Sequence, residues 1–146
     1  MYPEPTVGAV ILNNQNEILL VKSHKWDDNY VIPGGHIELG EKIEDALRRE
    51  VKEETGLEIY DIKFLGLQQC IFDKDFEKKK HFIFIDFVCK SNDDKVVLNE
   101  EHEDYIWIKI DEIDDLPMEN FTGKLLKEYR KKEKSEYMED ILYNYY

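Results

Sequence analysis

Cysteine is nearly missing from this chain: Cys70 and Cys89 are the only two among 146 residues. Neither sits in a Cys/His spacing that would hold zinc. Both lie inside apolar runs, where a disulfide is one option and small buried hydrophobes in a reducing cytosol are the favoured one. Glycine (7) and proline (4) are scarce too, and no linker, repeat or low-complexity stretch divides the chain. One domain over residues 1–146 is therefore expected. Long apolar runs are absent: Val7–Leu12 and Phe82–Val88 fall far short of the ~20 residues that a spanning helix needs. Met1–Thr6 holds two prolines and a glutamate where a secretory leader would need a basic and then an apolar segment. A cytoplasmic protein with no membrane contact is the expectation.

Positive charge is in deficit. Lys plus Arg number 20 against 33 Asp plus Glu, a net charge of -13. Such a chain repels a polyanion, and no basic stripe offsets that, so nucleic acid is a disfavoured partner. A small anionic substrate is compatible only if cations stand between it and the protein.

What is present reads as mixed α/β. Thr6–Leu12 and Glu17–Val21 are apolar runs joined by Asn13-Asn14-Gln15-Asn16, which predicts a hairpin. Tyr30–Ile32 reads as a short strand ended by a permissive Pro33-Gly34-Gly35 loop. Glu41–Thr55 has helical periodicity with Gly56 placed to stop it. Glu58–Phe72 and His81–Lys90 read as strands around the charged turn Asp73–Lys80, and Tyr105–Ile110 as another. An acidic turn over Asp111–Leu116 precedes a last helix from about Gly123 to Lys134, with Thr122 as its cap. The tail gathers Tyr137, Tyr143, Tyr145 and Tyr146. These pack on their own domain or form the contact of a homodimer.

The helix carries the chemistry. On a helical wheel Ile43, Ala46, Leu47, Val51 and Leu57 share one face, and Glu44, Asp45, Arg48 and Lys52 the other. Glu50 and Glu54 fall inside the apolar stripe and Glu53 at its edge. Buried carboxylates need a partner or a metal. Two carboxylates about 5 Å apart at an effective dielectric near 20 repel by roughly 3 kcal/mol, and Arg49 alone cannot neutralise three. A hard cation can, and Mg²⁺ keeps open positions for phosphate oxygens. The opposing interpretation, a helix end projecting into water, is as plausible on periodicity alone. Gly34-Gly35 tilts the balance, since backbone there can approach a ligand unobstructed.

The same residues resemble the Nudix box in full. Gly35, five residues, Glu41, seven residues, then Arg49-Glu50-Val51-Lys52-Glu53-Glu54-Thr55-Gly56-Leu57 match all nine fixed positions of a 23-residue signature. The resemblance implies an α/β/α sandwich with a mixed sheet. It also implies hydrolysis of a phosphoanhydride bond in a nucleoside diphosphate linked to another moiety, with Mg²⁺ or Mn²⁺. Carried over position by position, Glu53 and Glu54 ligate metal, Glu50 is a further ligand or the general base, and Arg49 orients these carboxylates. Glu41 ties loop to helix, and the backbone carbonyl of Gly34 is a further metal ligand. Similar sequences add a carboxylate from a later loop, and in Asn99–Asp104 its spacing to Trp107 selects Glu101 over Glu100 and Glu103.

Substrate is written more faintly. Trp26 and Tyr30 are placed to stack on a base and Lys25 to meet phosphate, with rim and core packing as the competing reading. His81 and Phe82 are further candidates to reach the cleft, on a strand whose facing the pattern leaves open. The Glu101–Trp107 stretch is loosely similar to hydrolases of nucleoside triphosphates and of dinucleoside polyphosphates, which tilts the expectation toward those. An RNA 5′-end pyrophosphohydrolase and a non-catalytic nucleotide-sensing module are the alternatives. The charge of -13 weighs against the first and the complete box against the second. The complete box also weighs against diphosphate isomerase chemistry.

Overall fold

In the computed structural model, which describes residues 2–73 and 79–133 and the backbone of 142–144, a single mixed sheet lies between two helices. The strands are β1 Glu4–Leu12, β2 Ile18–Ser23, β3 Asn29–Val31, β4 Gly34–His36, β5 Tyr60–Ile71, β6 His81–Lys90, β7 His102–Ile108 and β8 Leu142–Asn144. The helices are α1 Ile43–Thr55 and α2 Asn120–Glu133. β1 is the hub, antiparallel to β2 and β4 and parallel to β6. β6 continues to β5 and β5 to β8, while β2 carries β3 and β7.

The period-two geometry of a strand splits the apolar runs between two cores. Val7, Ala9, Ile11, Leu19 and Val21 pack with Ala46, Leu47 and Val51 of α1. Val10, Leu12, Ile18 and Leu20 pack with Leu125, Leu126 and Tyr129 of α2. A sheet covered on both faces has no wet side, so β1 and β2 read as continuous hydrophobic runs. Each fully buried Val, Leu or Ile contributes about 1.5–3 kcal/mol, and ten such positions or more lie at 2% exposure or less. The architecture is the expected α/β/α sandwich. Cys70 and Cys89 are both free and buried, and among the described residues no helix is long and apolar enough to cross a membrane.

Several boundaries differ from the sequence expectation. The two glycines expected in a Pro-Gly-Gly loop instead open a strand, β4, in which Gly34 pairs with Gly8 and Gly35 with Val7. A Cβ on Gly34 would sit 2.0 Å from the Val7 carbonyl oxygen, so close strand approach demands glycine there. Ile43, placed in the core stripe by the wheel, is 43% exposed, because the first turn of α1 overhangs the core. β7 begins at His102, three residues earlier than Tyr105, held there by pairing of His102 with Ser23. α2 begins at Asn120, ahead of Gly123, and Thr122 is not its cap. The Glu119 carboxylate does that work, accepting from the amides of Phe121 at 2.7 Å and Thr122 at 3.3 Å. Gly56 stops α1 as expected, in the left-handed region at φ 76 with its amide on the Lys52 carbonyl. Tyr137, Tyr145 and Tyr146 of the aromatic tail lie outside the described residues; of Tyr143 only the backbone, in β8, is described.

Candidate active site

A cavity of about 340 Å³ opens beside the end of α1. Gly34 and Gly35 of β4, Glu54 of α1, and Glu101 and His102 at the start of β7 line it together with Lys25 and Trp26. Fold explains the meeting: β4 and α1 flank β1 on one side, and the β2–β7 pairing delivers Glu101 and His102 from far along the chain.

Glu54 is 2% exposed. Its Oε2 accepts from the Gly34 amide at 3.2 Å and meets His102 Nε2 at 3.1 Å. Oxygens of Glu54 and Glu101 and a ring nitrogen of His102 lie within 4.8 Å of one another. Burial raises the Glu54 carboxyl above the usual carboxylate range, against the hydrogen bond and charge of His102. Burial opposes charge on His102, yet the hydrogen bond from its ring to Glu54 and the nearby Glu101 leave it raised.

Glu50, on the turn before, presses its carboxylate against Gly35: a Cβ there would stand 2.4 Å from Glu50 Cδ. Burial raises the Glu50 carboxyl, and Glu53 and Glu101 add repulsion, while Arg49 pulls the other way. Arg49 is the clamp. Its guanidinium binds Glu41 at 2.7 and 2.9 Å, Glu50 at 2.9 Å, Glu53 at 3.3 Å and the His36 carbonyl at 3.0 Å. The Glu41 carboxyl, bonded to Arg49 and to the Glu38 amide, falls to about 2. One cation thus holds three box glutamates, Glu41 from the loop and Glu50 and Glu53 of the helix, leaving Glu54 to His102.

The expected site residues therefore divide. Gly34, Glu54, Glu101, Lys25 and Trp26 line the cavity, and Glu50 reaches its edge through Gly35. Glu53 is 55% exposed on the outer side of Arg49. Glu103 faces His24 at 3.2 Å instead of the cavity. Tyr30 and His81 are outside the lining. Tyr30 packs into the α2-side core while its backbone pairs with Pro117 and Glu119, and His81 meets Gln69 at 3.3 Å. Trp26 packs against Phe82 and Phe84 at 6.2 and 6.5 Å between ring centres.

Sequence reading missed His102, Gln68, Asp86 and Glu119, all part of the lining. Asp86 carried a visible signal: it is the lone charge within the apolar run Phe82–Val88. Gln68 and Glu119 carried none, because their meeting depends on strand order.

Comparison with known proteins agrees with this fold. The NUDIX domain family model matches residues 2–129. A nucleoside triphosphatase, NudI, from Escherichia coli O17:K52:H18 (strain UMN026 / ExPEC) is 31% identical over 137 residues, covering 84% of this chain and 94% of the relative. The crystal structure of a MutT NUDIX hydrolase from Burkholderia pseudomallei superposes with a TM-score of 0.75 at 24% identity, covering 87% of this chain and 98% of that one. A C. elegans Ap4A hydrolase binary complex gives 0.65 at 23% identity, over 86% and 96%. With Gly35 and Glu54 of the box at the cavity wall and the family model matching residues 2–129, the chain belongs to the Nudix family of hydrolases.

Proposed function

We propose that the protein hydrolyses a phosphoanhydride bond of a nucleoside triphosphate or dinucleoside polyphosphate, with Mg²⁺ or Mn²⁺ as cofactor. The observation that carries this reading is the buried Glu54 carboxyl, 2% exposed, grouped with Glu101 at the wall of an aromatic cavity. The names of the relatives, a nucleoside triphosphatase and an Ap4A hydrolase, lend support.

The residues fit a hard divalent cation. The donors are carboxylate oxygens, and burial pushes both Glu50 and Glu54 up, a cost that a nearby cation removes. Glu50, Glu53, Glu54 and the Gly34 carbonyl would hold it. When bound, such a cation polarises phosphate oxygens, acidifies water and neutralises charge between an acidic protein and an anionic substrate. Arg49 keeps Glu50 and Glu53 in one arrangement, so little reorganisation is needed during reaction. Glu50 or Glu101 accepts the proton of the attacking water on a carboxylate oxygen. As the new P–O bond forms, the bond from phosphorus to the bridging oxygen breaks, giving two phosphate-bearing products. Trp26 and its phenylalanine neighbours take the base, and Lys25 faces phosphate.

The test is a panel of nucleoside triphosphates and dinucleoside polyphosphates with Mg²⁺ or Mn²⁺, products identified by mass. Metal-dependent release of a nucleoside monophosphate or diphosphate is expected. No turnover of any member with either cation overturns the proposal.

A further inference from the structure

The cavity has a second polar group, apart from the glutamates of α1. Asp86 of β6 and Gln68 of β5 are 4% and 2% exposed, and Glu119 at the start of α2 is 7% exposed. All three line the cavity. The Gln68 amide nitrogen donates to the Phe121 carbonyl at 3.0 Å. A carbonyl only accepts, which fixes the amide orientation and leaves Oε1 as an acceptor. Neither Gln68 Oε1 nor Asp86 Oδ2 has a hydrogen-bond partner. Glu119 has both oxygens engaged by the α2 amides. Phe82 and Phe84, stacked at 5.5 Å and 20°, and Phe121, edge-on to Phe84 at 5.4 Å, enclose the same space. Flat apolar walls with two buried, unsatisfied acceptors describe a seat for a flat ligand that brings its own donors.

We propose that Asp86 and Gln68, held in place beside Glu119, read the base of the nucleotide and favour one presenting adjacent N–H donors, guanine foremost, over uracil and thymine. This rests on the nucleotide-hydrolase reading above. Guanine offers a ring N–H next to an exocyclic amine, one donor for each unpaired oxygen. Uracil and thymine offer one N–H flanked by two carbonyls, which would set acceptor against acceptor. A dry site built to accept hydrogen bonds rejects a ligand that leaves its acceptors unpaired more strongly than it rejects a change of size. Gly8 belongs to the same device, since a Cβ there would lie 2.7 Å from Asp86 Oδ1. The Asp86 carboxyl, pushed to about 7 by burial, is mostly an acceptor at pH 8, where the test is best run.

The experiment is calorimetric binding of guanosine, adenosine, cytidine and uridine to the full chain at pH 8. Nucleosides carry no phosphate, so the result does not depend on hydrolysis or on metal. Guanosine is expected to bind about tenfold or more tightly than uridine, the worth of one hydrogen bond to a charged acceptor. Asp86→Asn replaces an acceptor with an amide donor and is expected to abolish or invert that ratio. Gln68→Leu is expected to reduce it. Equal affinity for guanosine and uridine in the wild type, binding of none of the four, or an unchanged ratio in a folded Asp86→Asn each overturns the proposal. If Asp86→Asn fails to fold, the wild-type ratio and Gln68→Leu decide. Indiscriminate turnover of triphosphates would sink the base reading alone, and base-selective binding without turnover the hydrolase reading alone.

Discussion

Glu54 and Glu50 sit one turn apart on α1 yet are held by opposite means, and their substitutions should separate accordingly. Glu54 is buried against His102 and the Gly34 amide. Glu54→Gln keeps the shape and removes a charge that burial disfavours, so the melting temperature should hold or rise while Mg²⁺-dependent turnover disappears. Near-wild-type kcat in that variant removes the metal assignment. Glu50 is held by Arg49 at 2.9 Å, and Glu50→Gln should lower kcat about 10²–10⁴-fold, as loss of a proton acceptor or ligand does. A twofold drop would move the base role to Glu101. Gly35→Ala tests the same carboxylate without touching it. The added methyl would lie 2.4 Å from Glu50 Cδ, so the carboxylate must swing away. A displacement near 1 Å costs about a hundredfold in rate, with KM little changed; unimpaired kcat would show that the position of Glu50 is not critical.

At the scale of elements, legibility followed the distance over which a signal acts. α1 was readable because its periodicity and its glycine stop are local: Ala46, Leu47 and Val51 are fully buried, and Glu54 lies among them, as the wheel required. The β1–β2 hairpin was readable from Asn13, whose side-chain oxygen accepts from the amides of Gln15 and Glu17. β4 was not, because Gly34-Gly35 carries no alternation and exists as a strand only through β1. Nor was the Glu119 cap, since a buried glutamate three residues ahead of Thr122 competes for the same amides and is longer. His102 was missed for a third reason: β7 gains its first residues only by pairing with β2. The local part can be tested by itself. Gly56 has φ 76, and an added Cβ would meet Val97 only at 3.5 Å, so Gly56→Ala adds no clash and forces an alanine into the left-handed region. Roughly 1–2 kcal/mol of stability should be lost, read as a lower denaturant midpoint with kcat unchanged. No loss would mean that the α1 stop is set by the Val97 amide on the Thr55 carbonyl rather than by glycine.

The molecule as a whole gathers acidic groups around one cavity, and its stability should report that through pH. Burial raises Asp86 from 3.8 to about 7 and Glu119 from 4.5 to about 7, and Glu50, Glu54 and His102 are raised as well. The folded state then binds these protons more tightly than the unfolded chain. Stability from the carboxyls is fully present below their unfolded values near 4 and is lost as pH climbs through the folded ones, about 7 for Asp86 and Glu119. That from His102 is present below 6.5 and lost above it. Carboxyls shifted the other way, Glu41 to about 2 and Asp114 by Arg130, contribute stability above pH 4 that is lost only on acidification below it. The Asp114–Arg130 pair is exposed on its acidic side and weighs little, and the Glu41 carboxyl, 15% exposed against Arg49, titrates below the range from pH 5 to pH 8. Metal-free protein should therefore be more stable near pH 5 than at pH 8 by a few kcal/mol, measured by denaturant titration. Asp86→Asn should flatten part of that slope. Mg²⁺ competes with protons for Glu50 and Glu54, so adding it should raise the melting temperature at pH 8 and barely at pH 5; at a hundredfold excess over Kd the gain is about 2.7 kcal/mol. A metal-free chain that became more stable from pH 5 to pH 8 would mean that the cavity carboxyls ionise freely, and neither the cation seat nor the buried acceptors could then be as the geometry has them.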